Sequence, residues 1–299
     1  MVHNPVLLNE VIELLNPQAG EVVVDGTVGF GGHFKKLLSI IQPNGRLIGI
    51  DQDCEAIAYT QEWLRSFLEQ GHEIKSVDLF CDNFSNIGNI LDRLRVSGVD
   101  RILLDIGVSS YQLDRPERGF SFQADGPLDM RMDPKSVLTA EKVINGYHPN
   151  KLIDIFREYG EERWARKIAL NIVRTREKER IATTRQLAGI IERSVPFKGR
   201  SRIHPATRVF QAIRIEVNQE LNNLKVFLGI VPKYLNIGGR LGIISFHSLE
   251  DRLVKESFRN GKTENIYRLI TKKPVWASEK ESCENPRSRS ARLRVVERI

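Results

Sequence analysis

Apolar positions along this chain follow two alternating rhythms. Short apolar runs at 21–25, 46–51, 74–80 and 101–106 read as strands, and the amphipathic stretches 56–68 and 87–94 between them repeat at helical spacing. Strand and helix in alternation predict βαβ units and a parallel sheet. The next clear strand is 240–246. A βαβ unit takes about 30 residues or somewhat more. More than 130 separate 107 from 240, so an insert of roughly 100 interrupts the sheet.

The insert reads as helical. Leu152, Ile153, Ile155, Phe156, Tyr159, Trp164, Ile168, Ile172 and Val173 recur at helical spacing, and Thr183 or Thr184 is placed to cap a helix through Leu187, Ile190 and Ile191. A single helix over 207–228 is expected to return the chain to the sheet, followed by Gly238-Gly239 and the fifth strand. Beyond it, 249–258 predicts a helix, and 266–271 with 293–296 a terminal hairpin. The expected organisation is a discontinuous sheet domain, 1–112 and 207–299, around a helical domain at 113–206.

Composition narrows the class. With 299 residues, 41% hydrophobic and 28% charged, the chain is ordinary for a globular protein. No apolar run approaches the roughly 18 residues of a membrane span, and Met1-Val2-His3-Asn4-Pro5 lacks the features of a signal peptide. Cytoplasmic residence without a membrane partner is therefore expected. Cys54, Cys81 and Cys283 show no C-x-x-C spacing, so they read as reduced thiols, with no zinc site or other metal cluster implied.

Charge points to a polyanion, and its position says more than its total. The formal net charge is +7. Residues 157–214 alone carry fifteen Lys or Arg against six Glu, a surplus of nine, so the remainder is slightly acidic. The run 174–180 reads as a solvated helical face. In Lys198-Gly199-Arg200-Ser201-Arg202 a glycine-containing basic loop without acids suits phosphates. Nucleic acid is favoured over a small neutral substrate.

The strongest chemical signal is Asp25-Gly26-Thr27-Val28-Gly29-Phe30-Gly31-Gly32-His33, a glycine turn between the first strand and a helix. Glycines there let backbone approach a ligand at a helix N-terminus. A dinucleotide fingerprint beginning at Gly29 would need a small residue where Phe34 stands, and no G-K-[ST] follows, so NAD and a phosphate loop are both disfavoured. An acid at the first strand's end with G-x-G four residues on resembles motif I of class I S-adenosylmethionine methyltransferases, and Asp51 ending the second strand, where it can accept ribose hydroxyls, agrees with that cofactor. Its carboxylate can use the helix start near Gly32 and His33. Asp105 ends the fourth strand, at the carboxyl edge where open α/β sheets bind ligands. It reads there as a ligand contact or as a cap on the next turn. Phe84 can stack on adenine or serve as core, and Asp82 can accept from the adenine amine or shape a turn. His247, Ser248 and Asp251 do not make a hydrolase, because no G-x-S-x-G surrounds Ser248.

Several blocks together resemble the bacterial 16S rRNA cytosine-N4 methyltransferases of the MraW (RsmH) type. They are His3-Asn4-Pro5-Val6-Leu7-Leu8, the glycine turn, and Leu104-Asp105-Ile106-Gly107-Val108-Ser109-Ser110-Tyr111-Gln112-Leu113-Asp114. Arg118-Gly119-Phe120-Ser121-Phe122, Asp125-Gly126-Pro127-Leu128-Asp129-Met130-Arg131-Met132-Asp133, Tyr159-Gly160-Glu161-Glu162-Arg163, His204-Pro205-Ala206-Thr207-Arg208 and Ile244-Ser245-Phe246-His247-Ser248-Leu249-Glu250-Asp251-Arg252 follow in order. The resemblance covers nearly the whole chain, except roughly 259–284.

That resemblance implies an α/β, class I Rossmann-like methyltransferase sheet domain with an inserted, mainly helical domain. It implies S-adenosylmethionine-dependent methylation of the N4 amine of cytosine 1402 in the decoding region of 16S rRNA, in the small ribosomal subunit. Rival readings are a same-fold methyltransferase acting on another RNA or a protein, and a noncatalytic ribosome-assembly factor that binds the cofactor. By similarity, Gly31, Gly32, His33, Asp51, Phe84, Asp105 and Gln112 would contact the cofactor, with Asp25 in support. The chain lacks the D/N-P-P-Y/F block of many amino methyltransferases and has Asp105-Ile106-Gly107-Val108-Ser109-Ser110 instead. Asp105, Ser109 and Ser110 are therefore the candidate acceptors for the amine N–H. Tyr111, Phe120 and Phe122 are candidates to hold a flipped base, with core packing expected for at least one. Lys198, Arg200, Arg202 and Arg208 are the candidate RNA contacts.

Overall fold

The computed structural model describes residues 5–69, 76–196 and 204–299. In chain order its elements begin α1 Leu8–Leu15, β1 Val22–Asp25, α2 Gly32–Ile41, β2 Arg46–Asp51, α3 Cys54–Glu69, β3 Ser76–Cys81, α4 Ile87–Arg93 and β4 Val99–Asp105. Six helices follow: α5 Ser110–Asp114, α6 Ala140–Gly146, α7 Pro149–Glu158, α8 Ala165–Arg176, α9 Thr184–Ser194 and α10 Ala206–Asn218. The chain ends with α11 Glu220–Ile230, β5 Leu235–Ser245, α12 Ser248–Thr263, β6 Tyr267–Leu269, α13 Glu279–Glu284 and β7 Arg292–Arg298. It divides into two compact units, Met1–Gly107 with Leu221–Ile299, and Val108–Glu220.

The first unit is built on a seven-stranded sheet of order β3-β2-β1-β4-β5-β7-β6. β1 to β5 run parallel, and β7 pairs antiparallel with both β5 and β6. Each central strand is apolar on both faces, because helices cover both. Val23, Leu47, Leu103, Ile244 and Val295 pack with Leu15, Phe34, Leu37 and Leu38, while their neighbours Val24, Ile48, Ile102, Ile243 and Val296 pack with Ile87, Leu91, Phe227 and Val254. Successive side chains on opposite faces turn two half-cores into one continuous apolar run. Full burial of each such side chain stabilises by about 1.5–3 kcal/mol.

Phe34 shows how the glycine-turn helix seats itself. It is fully buried, and a Cβ on Gly49 of β2 would lie 2.7 Å from its ring. The small residue that lets helix and strand approach is here on the strand, so the helix can carry a large one.

The strand order reverses between β1 and β4, and three strands side by side end in acids. Asp51 closes β2, Asp25 closes β1 and Asp105 closes β4. The register sets Asp51 opposite Cys81, and α3 starts at Cys54. Cys54 and Cys81 are consequently bonded as a disulfide with Cα atoms 5.1 Å apart, which corrects the expectation of reduced thiols. Only Cys283 is a free, exposed thiol. Spacing in the chain gave no sign of a pairing that parallel register creates.

The second unit is helical, with Phe156, Ile168, Ile172, Leu187, Ile191, Val209 and Ile213 at its centre. The single helix expected over 207–228 is two helices. Gln219 between them adopts φ 52°, and its backbone N–H bonds back to Glu216 O and Ile215 O. Arg214 reaches Glu220 through two bonds of 2.8 Å. Because α10 buries Val209, Phe210 and Ile213 in the helical core, the units divide at 107/108 and 220/221 rather than at the expected 113 and 206. Among the described residues, no helix is long and apolar enough to cross a membrane.

Candidate active site

At the carboxyl ends of the strands, backbone donors and buried or half-buried acids build the site from the glycine turn outward. Gly26 N–H donates to Leu103 O at 2.9 Å, an approach that leaves no space for a Cβ, which would lie 2.3 Å from Leu104. Thr27 follows, its N–H donating to Asp25 Oδ1 at 3.1 Å and its hydroxyl oxygen accepting Asp105 N–H at 2.6 Å. Gly29 N–H donates to Asp51 Oδ2 at 2.8 Å. Gly31 takes φ 81°, a conformation that favours glycine, and becomes the N-cap of α2 without any side-chain cap. The first amides of α2 at Gly32 and His33 thus offer a partial positive charge suited to a carboxylate.

All three strand-end acids resist ionisation. Burial, with a smaller contribution from Asp51, pushes Asp25 up to about 7 despite the Thr27 amide. Burial raises Asp51 to about 6 against two amide donors, Asp53 and Gly29. Asp105 rises furthest, to about 8, through burial and the like charges of Asp25 and Glu250. Among the described residues, Asp25 Oδ2 and Asp105 Oδ1 are buried and accept no hydrogen bond. Buried polar atoms are nearly always satisfied, so two orphans at one strand edge mark a place for ligand donors.

His33 faces this edge. Its Nε2 lies 2.9 Å from Val6 O and its Nδ1 lies 3.7 Å from Asp105 Oδ2. On the other side, Glu250 is buried and accepts the amides of Phe246 and His247 at 2.9 and 3.3 Å. Apart from their place in a family block, His247, Ser248 and Asp251 read in the sequence only as a rejected hydrolase triad. The structure makes His247 the N-cap of α12 and ties Asp251 to Arg294 at 2.6 and 3.1 Å. Glu250 was legible only as a capping-box acid three residues after the cap.

Phe84 is half-buried and meets Phe227 edge-on at 5.7 Å between centroids. Asp82 accepts from Asn83 N and Asn86 Nδ2 at 2.7 and 2.6 Å, the turn-shaping alternative of its two readings. The sheet unit therefore brings Gly31, Gly32, His33, Asp51, Phe84, Asp105 and Asp25 to the strand ends and the turns that leave them.

Ser109, Ser110 and Gln112 belong to the helical unit, four to seven residues after Asp105 in the chain. Ser109 caps α5 and Gln112 returns the bond, Ser109 Oγ accepting Gln112 N–H at 3.2 Å and Gln112 Oε1 accepting Ser109 N–H at 3.1 Å. Ser110 is the first residue of α5. Arg115 lies 3.9 Å over the Tyr111 ring, Phe120 is core, and Phe122 stacks on His204 at 4.5 Å.

Lys198, Arg200 and Arg202 lie outside the described residues, while Arg208 is exposed. Part of the basic surplus is engaged within the unit itself. Arg176 donates to Ile144 O and Tyr147 O at 2.7 Å, Arg180 pairs with Glu141, and Arg214 with Glu220. Arg163, Arg166, Lys167 and Arg174 are exposed, on and just before α8, whose other side buries Ile168 and Ile172.

The model of the MraW methylase family matches residues 1–299. A ribosomal RNA small subunit methyltransferase H of Syntrophotalea carbinolica is 48% identical over 99% of this chain and 98% of its own. The protein of the same name from Trichodesmium erythraeum is 47% identical, with both chains covered in full. Among solved structures, an rRNA methylase from Streptococcus thermophilus aligns over 100% of this chain and 99% of its own at 11% identity and a TM-score of 0.46.

Proposed function

Because the chain belongs to the MraW methylase family, we propose that it transfers the methyl group of S-adenosylmethionine to the N4 amine of a cytosine in the decoding region of 16S rRNA, within the small subunit. The observation that carries this reading is Asp105, a half-buried carboxyl whose enclosed Oδ1 has no partner among the described residues, at the end of β4 beside a glycine turn that ends in an uncapped helix start.

The residues fit the methyl donor. The amides of Gly31, Gly32 and His33 would hold its carboxylate, Asp51 its ribose hydroxyls and Phe84 a face of its adenine. Asp25 braces the turn through Thr27, and Gln112 joins the set by family similarity. Bound S-adenosylmethionine supplies a methyl group on a positively charged leaving group.

A cytosine amine is a poor nucleophile because its lone pair is delocalised into the ring. Asp105 would accept an amine N–H and hold the nitrogen in line as it pyramidalises, so positioning and proton acceptance carry most of the chemistry. Ser110 and Ser109 come second as acceptors, since the Ser109 hydroxyl already serves its capping box. Lys198, Arg200, Arg202 and Arg208, with the exposed face of α8, would hold the RNA backbone.

Nucleoside mass analysis of small-subunit rRNA from cells with and without this protein tests reaction and substrate together. N4-methylcytidine should disappear without the protein and return on complementation. An unchanged level removes the substrate assignment. Labelled methyl appearing in a protein or another RNA selects the same-fold rival, and no transfer at all selects a noncatalytic binder.

A further inference from the structure

We propose that His33 and Asp105 form a proton-sharing pair in which His33, as a positioning residue acting through Asp105, receives the proton released when the target amine is methylated. This rests on the reading above that Asp105 meets the amine. The first support is the tautomer. Val6 O can only accept, so the His33 Nε2 at 2.9 Å carries a hydrogen and donates it. In the neutral ring Nδ1 then holds the lone pair, and it is Nδ1 that lies 3.7 Å from Asp105 Oδ2.

A carboxylate cannot rest against that lone pair without repulsion. Two arrangements remain, a neutral carboxyl with Oδ2–H aimed at Nδ1, or a carboxylate facing Nδ1–H of an imidazolium. Each places one proton between the same two atoms. Among the described residues, the charges that shift Asp105 are all acidic. Asp25 faces Asp105 from β1 with Asp51 beyond it, and Glu250 faces it from the start of α12 beside His247. Lys35, the nearest cation on α2, lies instead over the rings of Tyr59 and Trp63 at 5.3 and 4.7 Å. Acids on both sides favour keeping a proton on Asp105 and favour a cation on His33 once it receives one.

The carboxyl has its two oxygens in different settings. Oδ2 faces His33, while Oδ1 is enclosed and without a partner among the described residues, and a turn of the carboxyl is needed to bring it to an amine N–H. The step balances. The amine nitrogen forms its bond to the methyl carbon as the methyl–sulfur bond breaks with its electron pair left on sulfur. The nitrogen's proton passes to Oδ1, and the Oδ2 proton passes to His33 Nδ1. One positive charge enters on the sulfonium and one remains, on the imidazolium. The pair must close by about 1 Å to reach hydrogen-bond distance.

The test uses His33→Gln, because glutamine Nε2 can keep the bond to Val6 O while removing the base at Nδ1. Single-turnover methylation of small subunits should fall by about a hundredfold with methyl-donor affinity retained, and the pH dependence of the wild-type rate should flatten. Wild-type rate and pH profile in His33→Gln overturn the pair, as does a loss confined to donor affinity. A second reading needs no substrate. In protein with ¹⁵N-labelled histidine rings, Asp105→Asn should shift the pH titration of the His33 ring nitrogens, and an unmoved titration also overturns the proposal. The two hypotheses fail separately: coupled titration without any modified cytosine removes the assigned reaction and hence the proton's source, whereas modified cytosine made at full rate by His33→Gln removes the pair alone.

Discussion

Asp129 in the helical unit and the three strand-end acids of the sheet unit meet opposite fates. In the helical unit Asp129 is half-buried, and although burial opposes its ionisation, Arg131 bonds it through Nε at 2.8 Å and Nη2 at 2.7 Å and holds it below the usual carboxylate range. Arg131 also donates to the carbonyls of Pro134 and Ser136, so the pair locks a loop. In the sheet unit Asp25, Asp51 and Asp105 are all pushed up, no cation appears among the causes of their shifts, and two of their oxygens accept nothing among the described residues. Matched charge marks scaffold in this molecule. Unmatched burial marks the place where a ligand's donors belong, and the fold bears its cost in the absence of that ligand.

The largest effect should come from breaking the unmatched side. Asp105→Asn is expected to slow methyl transfer on the order of a thousandfold. It should also stabilise the protein alone, in a pH-dependent way. The folded-state pKa, about 8, lies above the ordinary 3.8, so the protonated carboxyl's contribution is complete below about 4 and is lost as pH rises through 8. Asparagine cannot ionise. Thermal unfolding of variant and wild type should therefore diverge in the variant's favour at pH 8.5 and converge near pH 4. An advantage for the variant that is equal at both values would show that Asp105 is not the strained acid.

Next in size is a contrast within the helical unit's basic residues. Arg166→Glu with Arg174→Glu changes two exposed positions of α8 and should lower the salt dependence of small-subunit binding by about two in log–log slope, leaving methyl-donor affinity unchanged. Arg176→Ala, by contrast, removes donors to two backbone carbonyls and should cost about 1–3 kcal/mol in stability. Its salt slope should stay as in wild type. Equal slopes for all variants would place the RNA elsewhere.

Legibility in the sequence followed the range of the interaction. Asp25, Asp51 and Asp105 could be placed at strand ends because Val22-Val23-Val24, Leu47-Ile48 and Leu103-Leu104 are local apolar runs, buried on both faces as a parallel sheet requires. The insert was legible as a gap in that rhythm. What escaped were features created by register and by approach across the chain. Cys54 meets Cys81 because β2 and β3 pair, and His33 meets Asp105 because α2 begins beside the end of β4, 72 residues on. The break at Gln219 escaped for a different reason, since apolar spacing runs on through it and only a left-handed residue separates α10 from α11. The basic surplus overstated the RNA surface, because Arg176, Arg180 and Arg214 are engaged within the unit itself.

The smallest effect compares one local motif in two places. Thr183 and Ser109 each close a capping box, with Gln186 and Gln112 respectively returning the bond. Thr183 heads α9, whose buried face is pure core, so Thr183→Ala should cost about 1 kcal/mol of stability and leave methyl transfer by the folded protein unchanged. Ser109 heads a helix of five residues only four positions beyond Asp105. Loss of its cap should cost a similar amount. It should also loosen the first turn that carries Gln112, a proposed cofactor contact, and so raise the KM for the methyl donor severalfold with kcat held. A fall in kcat with KM unchanged would instead make the Ser109 hydroxyl an acceptor for the amine and shift part of Asp105's assigned work onto the first turn of α5.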